Sequence, residues 1–496
     1  MAAFTTLLLR CLKRALGLGL WLIIALVMSM SLDANALPAF ARQTGQNCLS
    51  CHAGGQFPEL TPYGRLFKLT GYTIGERTVP LSVMGVAGYA RPTNTSKSDD
   101  PSVDFAKDGA LVFGSSSVFL AGKVTDNIGV FAQNTYDNYS AQDTNGKWHG
   151  HSGADNIEIR YADRFIDDHG DLIVGLSLNN NPSISDPWNS AAAWMQYVPV
   201  PSPGAFQFAD GATPFPGFGA GGNLAGLTAY AYWNQTLYGE VGFYRTANKI
   251  FSPFSAGVVR SELTNLRGTN NPYWRLAYTR EWGPHNLMVG SSGMIAHVYD
   301  IGSDTADPNN LGRFRNIGLD AQYQYLLDPH AVTAQVAYMR QKTDYSVNAL
   351  AASPFFLADG TTPVAAVNPS DTSKVFRAKV SYVYQAKYGG SVAFFNLTGN
   401  TNTLNQSSGF DPTGAITSDD PLATGVASTR VNGNLSGNPA TRGMTYEAFW
   451  TPLQYIRVGA QYTMYNKYNG ASSNYDGFGR NARDNNTLFF YIWGAY

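Results

Sequence analysis

Residues 317–325 read Ile-Gly-Leu-Asp-Ala-Gln-Tyr-Gln-Tyr, and the strict alternation in this stretch decides the fold class. Every second residue is apolar or aromatic, and the residues between them are glycine or polar. Successive side chains of a β-strand point to opposite faces, so the stretch predicts a strand with one apolar face. Residues 376–384 and 456–464 repeat the pattern. From about residue 81 onward, the sequence therefore predicts a chain built of β-strands.

Connections between the predicted strands alternate between short turns and long loops. Sixteen candidate strands begin near Leu81, Ala110, Asn127, Asn156, Leu172, Leu227, Leu237, Tyr273, Leu287, Phe314, Ala331, Val375, Ser391, Met444, Tyr455 and Thr487. The longest loops, rich in Asn, Ser, Thr and Gly, span 179–225, 342–373 and 399–441. A soluble β-sandwich shares the alternation, but this order of loops is typical of outer-membrane barrels. We therefore predict an all-β fold: an outer-membrane antiparallel β-barrel of about 16 strands, with both termini on the periplasmic side.

The opposite faces of these strands indicate what lines the barrel. If the apolar faces meet lipid, nine charged residues point into the lumen: Glu158, Arg160, Glu240, Arg275, Asp320, Arg377, Lys379, Glu447 and Arg457. Charged residues are only 14% of the chain, aromatic residues reach 13%, and the formal net charge is −1. Such a near-neutral chain gives no electrostatic reason to bind nucleic acid, whereas outer-membrane lipid is an expected partner.

The chain before the barrel divides into two further segments. Arg10, Lys13 and Arg14 precede an apolar run at 15–30, and Ala-Asn-Ala follows at 34–36. This is the pattern of a secretory signal peptide over residues 1–36, although a membrane anchor helix has a similar length. Residues 37–80 then form a short N-terminal domain, and residues 81–496 form the barrel.

Within that short domain, residues 48–52 read Cys-Leu-Ser-Cys-His. The spacing predicts a site for one covalent haem c: Cys48 and Cys51 bind the haem vinyl groups, and His52 is an axial ligand of the haem iron. A dithiol redox pair, half of a zinc site and a disulfide are the alternatives. Zinc usually needs a second ligand pair, and neither a dithiol nor a disulfide requires the adjacent histidine.

A short helix is predicted after the motif, from about Thr61 until Gly71 ends it. Residues 37–80 are too few to enclose a haem alone, because domains below about 40 residues usually need outside help to fold. A barrel of about 16 strands leaves an aqueous lumen. We therefore expect the haem domain to be a plug that the barrel covers.

Residues 38–72 resemble the fused monohaem cytochrome-porins of iron-oxidising bacteria. The resemblance is carried by Pro-Ala-Phe-Ala-Arg-Gln-Thr-Gly at 38–45, the motif at 48–52, Phe-Pro at 57–58 and Gly-Tyr at 71–72. Over the barrel, the resemblance is architectural. It implies an outer-membrane oxidoreductase that takes electrons from extracellular ferrous iron and passes them inward to a periplasmic cytochrome c or cupredoxin.

Two questions stay open at the level of sequence. The alternatives in function are a diffusion or uptake porin with a haem plug, and a conduit that carries electrons outward. The distal iron ligand is the second question, and Met84 is the candidate because it is the methionine nearest to the motif in the sequence. Acidic residues at 99, 100, 104, 419 and 420 fall in predicted external loops, where they either attract ferrous ions or are ordinary solvated charge.

Overall fold

The computed structural model describes residues 39–55, 59–93, 111–142, 148–190, 224–255, 265–299, 305–351, 368–402, 436–475 and 479–496. The predicted signal peptide and the acidic residues of the external loops lie outside these ranges. The strands form one antiparallel ring of 16 members, in which each strand pairs with its neighbours in sequence. A two-residue strand extends the edge of the ring. The predicted all-β barrel of 16 strands is therefore confirmed.

The strands, in chain order, have the following bounds. They are β1 (Leu81–Pro92), β2 (Leu111–Lys123), β3 (Ile128–Gln142), β4 (Trp148–Asp167), β5 (Gly170–Asn179), β6 (Leu224–Trp233), β7 (Leu237–Thr246), β8 (Asn265–Leu266), β9 (Pro272–Trp282), β10 (His285–Tyr299), β11 (Leu311–Leu327), β12 (His330–Asp344), β13 (Ser370–Tyr384), β14 (Tyr388–Gly399), β15 (Thr441–Leu453), β16 (Ile456–Lys467) and β17 (Thr487–Ala495). Strand β7 pairs directly with β9, the short β8 pairs only with the end of β10, and β1 pairs with β17 to close the ring.

Burial in the barrel is the reverse of that in a soluble protein. On β11, Ile317 and Leu319 are 51% and 59% exposed on the outer surface. The polar residues between and after them, Asp320, Gln322 and Gln324, are 6%, 1% and 0% exposed. A closed barrel with an apolar outer face and a polar interior is the arrangement that a lipid bilayer requires. All nine charged residues predicted to face the lumen are buried, which confirms their orientation.

The two ends of the barrel differ in their connections. Short turns join strands at the end where β1 begins and β17 finishes, for example between Asp167 and Gly170 and between Trp233 and Leu237. Long connections leave the other end. The chain terminus is bonded into the ring, because Val83 and Tyr496 exchange two backbone hydrogen bonds of 2.8 Å.

Helices are short. They are α1 (Ala39–Thr44), α2 (Cys48–Cys51), α3 (Pro62–Leu69), α4 (Pro182–Ser185) and α5 (Val347–Ala351), with 3₁₀ turns at Ala53–Gly55, Lys249–Phe254, Pro308–Asn310 and Ala482–Asn485. The predicted helix after the motif is α3. Thr61 caps it by accepting a hydrogen bond from the Gly64 N–H, and Gly71 follows it with φ +75°. Among the described residues, no helix is long and apolar enough to cross a membrane.

We call residues 39–55 and 59–80 the lumenal segment, because they pack against inward-facing side chains near the short-turn end. The segment belongs to the same compact unit as the barrel. Phe40 stacks on Tyr72 and on Phe131 of β3, with ring centroids 5.2 and 6.1 Å apart. This aromatic cluster gives a short segment the apolar contacts that it cannot make within itself.

A second chain segment also enters the lumen. The sequence predicted an external loop over 179–225, but its first part, residues 180–190, folds inward as a segment that we call the inserted loop. Asp186 lies 3.4 Å from the Arg275 guanidinium of β9, and Ser190 donates a hydrogen bond of 2.5 Å to Asp320 of β11. Buried ionic partners on the wall therefore draw the loop inward, which local sequence does not reveal.

Candidate functional site

The motif Cys-Leu-Ser-Cys forms α2, a single helical turn inside the barrel. The Asn47 side chain caps its start by accepting a hydrogen bond of 3.3 Å from the Ser50 N–H. The His52 N–H closes its end with a bond of 2.8 Å to the Cys48 carbonyl. Residues three apart on a helix share one face, so the thiols of Cys48 and Cys51 lie side by side, with the histidine one residue beyond.

A short extended stretch, residues 59–61, runs back along the motif, and we call it the return strand. Two backbone hydrogen bonds join it to the motif, from the Ala53 N–H to the Glu59 carbonyl at 2.8 Å and from the Thr61 N–H to the Cys51 carbonyl at 2.9 Å. Together they form the antiparallel bridge between His52 and Leu60. The backbone of the histidine is therefore fixed on both sides.

Two glycines allow this part of the chain to pack closely. A Cβ atom on Gly64 would lie 2.1 Å from the Cys51 carbonyl oxygen, so α3 can approach the motif only because this position lacks a side chain. A Cβ atom on Gly54 would lie 2.8 Å from Val383 and 3.2 Å from Ala331. The residues directly after the histidine therefore touch the wall at β12 and β13.

Two buried cations fix the return strand. Lys379 of β13 lies 2.6 Å from the Glu59 carboxylate, and Arg65 of α3 donates a bond of 2.7 Å to the Leu60 carbonyl. Gln324 of β11 donates to the same carbonyl at 3.1 Å. Burial lowers the pKa of Arg65 to about 10, because the charged guanidinium loses water.

The end of the lumenal segment is fixed by a separate network. The Tyr72 hydroxyl donates a bond of 2.5 Å to Glu158 of β4, which also pairs with Arg160 at 2.7 Å. The Lys68 ammonium donates to the Asp186 carbonyl of the inserted loop at 3.1 Å. Desolvation lowers the pKa of Lys68 to about 8. The lumenal segment and the inserted loop therefore meet in the middle of the lumen.

The two thiols lie in a largely buried environment. Cys48 and Cys51 are free thiols, which excludes a disulfide between them in this structure. Burial raises the pKa of Cys51 to about 11, because the thiolate would lose water. No cluster of three or more His, Cys, Asp or Glu suited to a metal ion occurs in the described part of the chain. Two neutral thiols beside a histidine match the donor set of a c-type haem.

Met84, the candidate for the distal ligand, faces the lumen from β1. It packs against a buried cluster made of Val86, Ala90, Phe489, Tyr491 and Trp493. This cluster belongs to a different part of the wall from β12 and β13, where the motif packs. The role of Met84 stays a prediction.

Three other residues that could ligate the iron have clear positions. His285 and His330 lie on the outer surface, where their rings contact Tyr323 and Tyr382 through hydrogen bonds of 2.7 and 2.8 Å. Their outward orientation removes them as ligands of a group inside the lumen. Met288 is fully buried in the lumen, in the same cluster as Leu69 of the lumenal segment.

No protein-family model and no curated protein matches the sequence. Among solved structures, Pseudomonas putida OprB at high pH is 9% identical, with a TM-score of 0.45, and the match covers 84% of this chain and 93% of that chain. Salmonella typhi OmpF in complex with daunomycin is 12% identical, with a TM-score of 0.43, covering 84% and 97%. The outer-membrane channel DcaP of Acinetobacter baumannii is 12% identical, with a TM-score of 0.38, covering 84% and 96%.

The class of protein follows from the strand pairing and the reversed burial. The chain is a porin-like outer-membrane β-barrel. Its lumen contains the lumenal segment and the inserted loop, and the Cys-Cys-His motif lies in the first of these.

Proposed function

We propose that this protein is an outer-membrane c-type cytochrome that oxidises extracellular ferrous iron and passes electrons inward to a periplasmic carrier. The observation that carries the proposal is the position of Cys48, Cys51 and His52 on one helical turn inside a closed barrel. The nature of the donor comes from the resemblance of residues 38–72 to the fused cytochrome-porins. A periplasmic cytochrome c or a cupredoxin is the proposed acceptor.

Each residue of the motif has a defined role in this proposal. Cys48 and Cys51 supply the two thioether bonds, and the return strand holds His52 for axial ligation. The haem, when bound, supplies one-electron exchange, and each ferrous ion that gives up one electron becomes ferric. The barrel wall shields the site from lipid, and only the electron needs to cross the membrane. Ferric iron, which precipitates readily, then stays outside the cell.

The porin alternative makes a different use of the same fold. A diffusion porin needs an open aqueous lumen, whereas here the lumenal segment and the inserted loop bond to each other through Lys68 and Asp186. Two segments that meet inside the lumen narrow it, and this supports the electron-transfer proposal. Solute flux through the protein in liposomes separates the two functions.

The first test asks whether haem is covalently bound. The purified wild-type protein should retain a haem stain through denaturing electrophoresis and show a c-type absorption spectrum. The Cys48→Ser/Cys51→Ser double variant should lose all of the stain but keep the heat-dependent gel mobility of a folded barrel. A wild-type protein without covalent haem contradicts the proposal.

The second test concerns the electron donor. Oxidised protein is inserted into liposomes with its long loops outside, and ferrous iron is added to that side in a stopped-flow spectrometer. The haem spectrum should change to that of the reduced form, and a soluble cytochrome c or cupredoxin inside should reverse it. A haem that dithionite reduces but excess ferrous iron does not, at acidic and neutral pH, removes the iron assignment. Rapid solute flux with no response to iron supports the porin.

A further inference from the structure

We propose that the buried ion pair between Lys379 and Glu59 sets the redox potential of the haem on His52 through the charges of its two partners. The proposal rests on the proposed function, since it concerns the haem that the motif would hold. The backbone hydrogen bond between Glu59 and Ala53 holds the pair at a fixed place close to the histidine.

The first step of the argument is the connection between the pair and the histidine. Lys379 holds the Glu59 carboxylate at 2.6 Å, and the Glu59 carbonyl accepts the N–H of Ala53, which follows His52 directly. On the other side of the histidine, the Thr61 N–H bonds the Cys51 carbonyl at 2.9 Å. A movement of Glu59 therefore moves the backbone on both sides of the histidine.

A second set of hydrogen bonds also fixes the return strand. The Leu60 carbonyl accepts bonds from Arg65 at 2.7 Å and from Gln324 at 3.1 Å, and Arg65 also donates to Gln324 and to Asn286 of β10. Side chains from three strands of the wall therefore bear on the return strand. The orientation of the histidine depends on the barrel and not only on the motif.

The electrostatic step follows from burial. The side chains of Lys379 and Glu59 are 4% and 3% exposed, so solvent and salt screen their charges weakly. Ferric haem carries one more positive charge than ferrous haem. A nearby cation therefore favours the reduced haem and raises the potential, and a nearby carboxylate lowers it. Removing one partner leaves the charge of the other uncompensated.

The electrostatic effect predicts opposite results for the two single substitutions. Lys379→Met leaves the Glu59 carboxylate alone and should lower the midpoint potential of the bound haem. Glu59→Gln leaves the ammonium alone and should raise it. The double variant, which has neither charge, should have a potential closer to the wild type than either single variant.

The experiment is a spectroelectrochemical titration of the purified, haem-loaded full-length variants. Lys379→Arg keeps the cation and should restore the wild-type value. Arg457→Met is the matched control, because Arg457 is an equally buried lumen cation whose partner Glu447, at 3.1 Å, lies on the neighbouring strand of the wall. It should leave the potential closer to the wild-type value than Lys379→Met does.

The outcomes separate this inference from the proposed function. If the two single variants shift the potential in the same direction, or if neither shifts it, the inference is wrong even when iron still reduces the haem. If the wild-type protein carries no covalent haem, the proposed function itself fails. If Lys379→Met does not fold, the midpoint potentials of Glu59→Gln and of the double variant test the inference instead. Neither of these variants leaves a buried carboxylate unpaired.

Discussion

Two walls of the lumen bury their charges in different ways. We call β4–β13 the loaded wall, because it contacts the lumenal segment and the inserted loop, and we call β14–β17 the aromatic wall. On the aromatic wall, Arg457 pairs with Glu447 at 3.1 Å and lies over the Phe449 ring, 3.6 Å from its centroid. Tyr491 donates to the same carboxylate at 2.6 Å. These partners all belong to adjacent strands.

On the loaded wall, buried charges pair with residues from distant parts of the chain. Arg275 bonds Asp320 at 2.6 Å on its own wall but also contacts Asp186 of the inserted loop, and Lys379 pairs with Glu59 of the lumenal segment. Leaving one member of a buried pair without a partner costs about 3–5 kcal/mol. The ion pair described on the aromatic wall therefore lies within the sheet, whereas the buried charges of the loaded wall are fully paired only with the two insertions in place.

The largest expected effect comes from removing the cation at the centre of the loaded wall. Arg275→Met leaves two carboxylates, Asp320 and Asp186, without their shared partner, so the free energy of unfolding should fall by about 3–5 kcal/mol. The inserted loop should also become accessible to added protease. Urea unfolding in lipid vesicles and mass spectrometry of the cleavage products measure the two effects.

The aromatic wall provides the control for this substitution. Arg457→Met also removes a buried cation and should reduce stability, but the partners described for Arg457 lie on β15 and β17. The loop should therefore stay protected. Equal cleavage of the inserted loop in both variants would show that the contact with Arg275 does not hold the loop in the lumen.

A smaller effect is expected from filling the space between α3 and the motif. Gly64→Ala places a Cβ atom 2.1 Å from the Cys51 carbonyl oxygen, and relieving that overlap should weaken docking of the lumenal segment by about 1–3 kcal/mol. Protease protection of residues 39–80 measures it. Gly239→Ala is the control, since its Cβ atom would meet only Leu276 at an ordinary 3.7 Å. Similar loss of protection in both variants contradicts the prediction.

The last expected effect is a dependence on pH at the contact between the two insertions. Burial lowers the pKa of Lys68 from an ordinary 10.5 to about 8, so the undocked segment binds more protons between these values. Stability of docking should therefore increase as pH rises from about 8 to about 10.5, by at most about 1.4 kcal/mol per pH unit, and should be constant below.

The difference between wild type and Lys68→Met isolates this contribution from other groups that titrate in the same range. The variant should show a smaller slope of docking stability against pH. Lys387→Met, at an exposed turn between β13 and β14, should keep the wild-type slope. Equal slopes in wild type and Lys68→Met would mean that Lys68 does not lose its proton in this range.

The barrel could be predicted from the sequence because its signal is local. Alternation along β11 or β13 places lipid-facing and lumen-facing residues without knowledge of any partner. The start of β4 shows the limit of prediction from alternation, since the strand begins at Trp148 and not near Asn156 as predicted. Its first residues are mostly polar and small, so they carry no clear apolar face.

The contents of the lumen could be predicted only in part. The spacing of Cys48, Cys51 and His52 identifies a motif, but it does not say what holds that motif in place. Lys379 was expected in the lumen as a charge that hydrates the interior, yet its partner Glu59 is 320 positions away. Pairings at that distance depend on the closed ring, which no local pattern contains.

The attachment of the lumenal segment at both of its ends limits how the lumen can open. The Ala39 N–H bonds Ser82 at 2.6 Å, and the Pro80 carbonyl accepts from Ala121 at 2.7 Å, so both ends are fixed to β1 and β2. The lumenal segment is therefore fixed at both ends and is not a plug attached at one end only. If its middle were released, loop closure would keep it near its site, and rebinding would need no search. In a barrel built in this way, a released lumenal segment returns to its site and closes the lumen again.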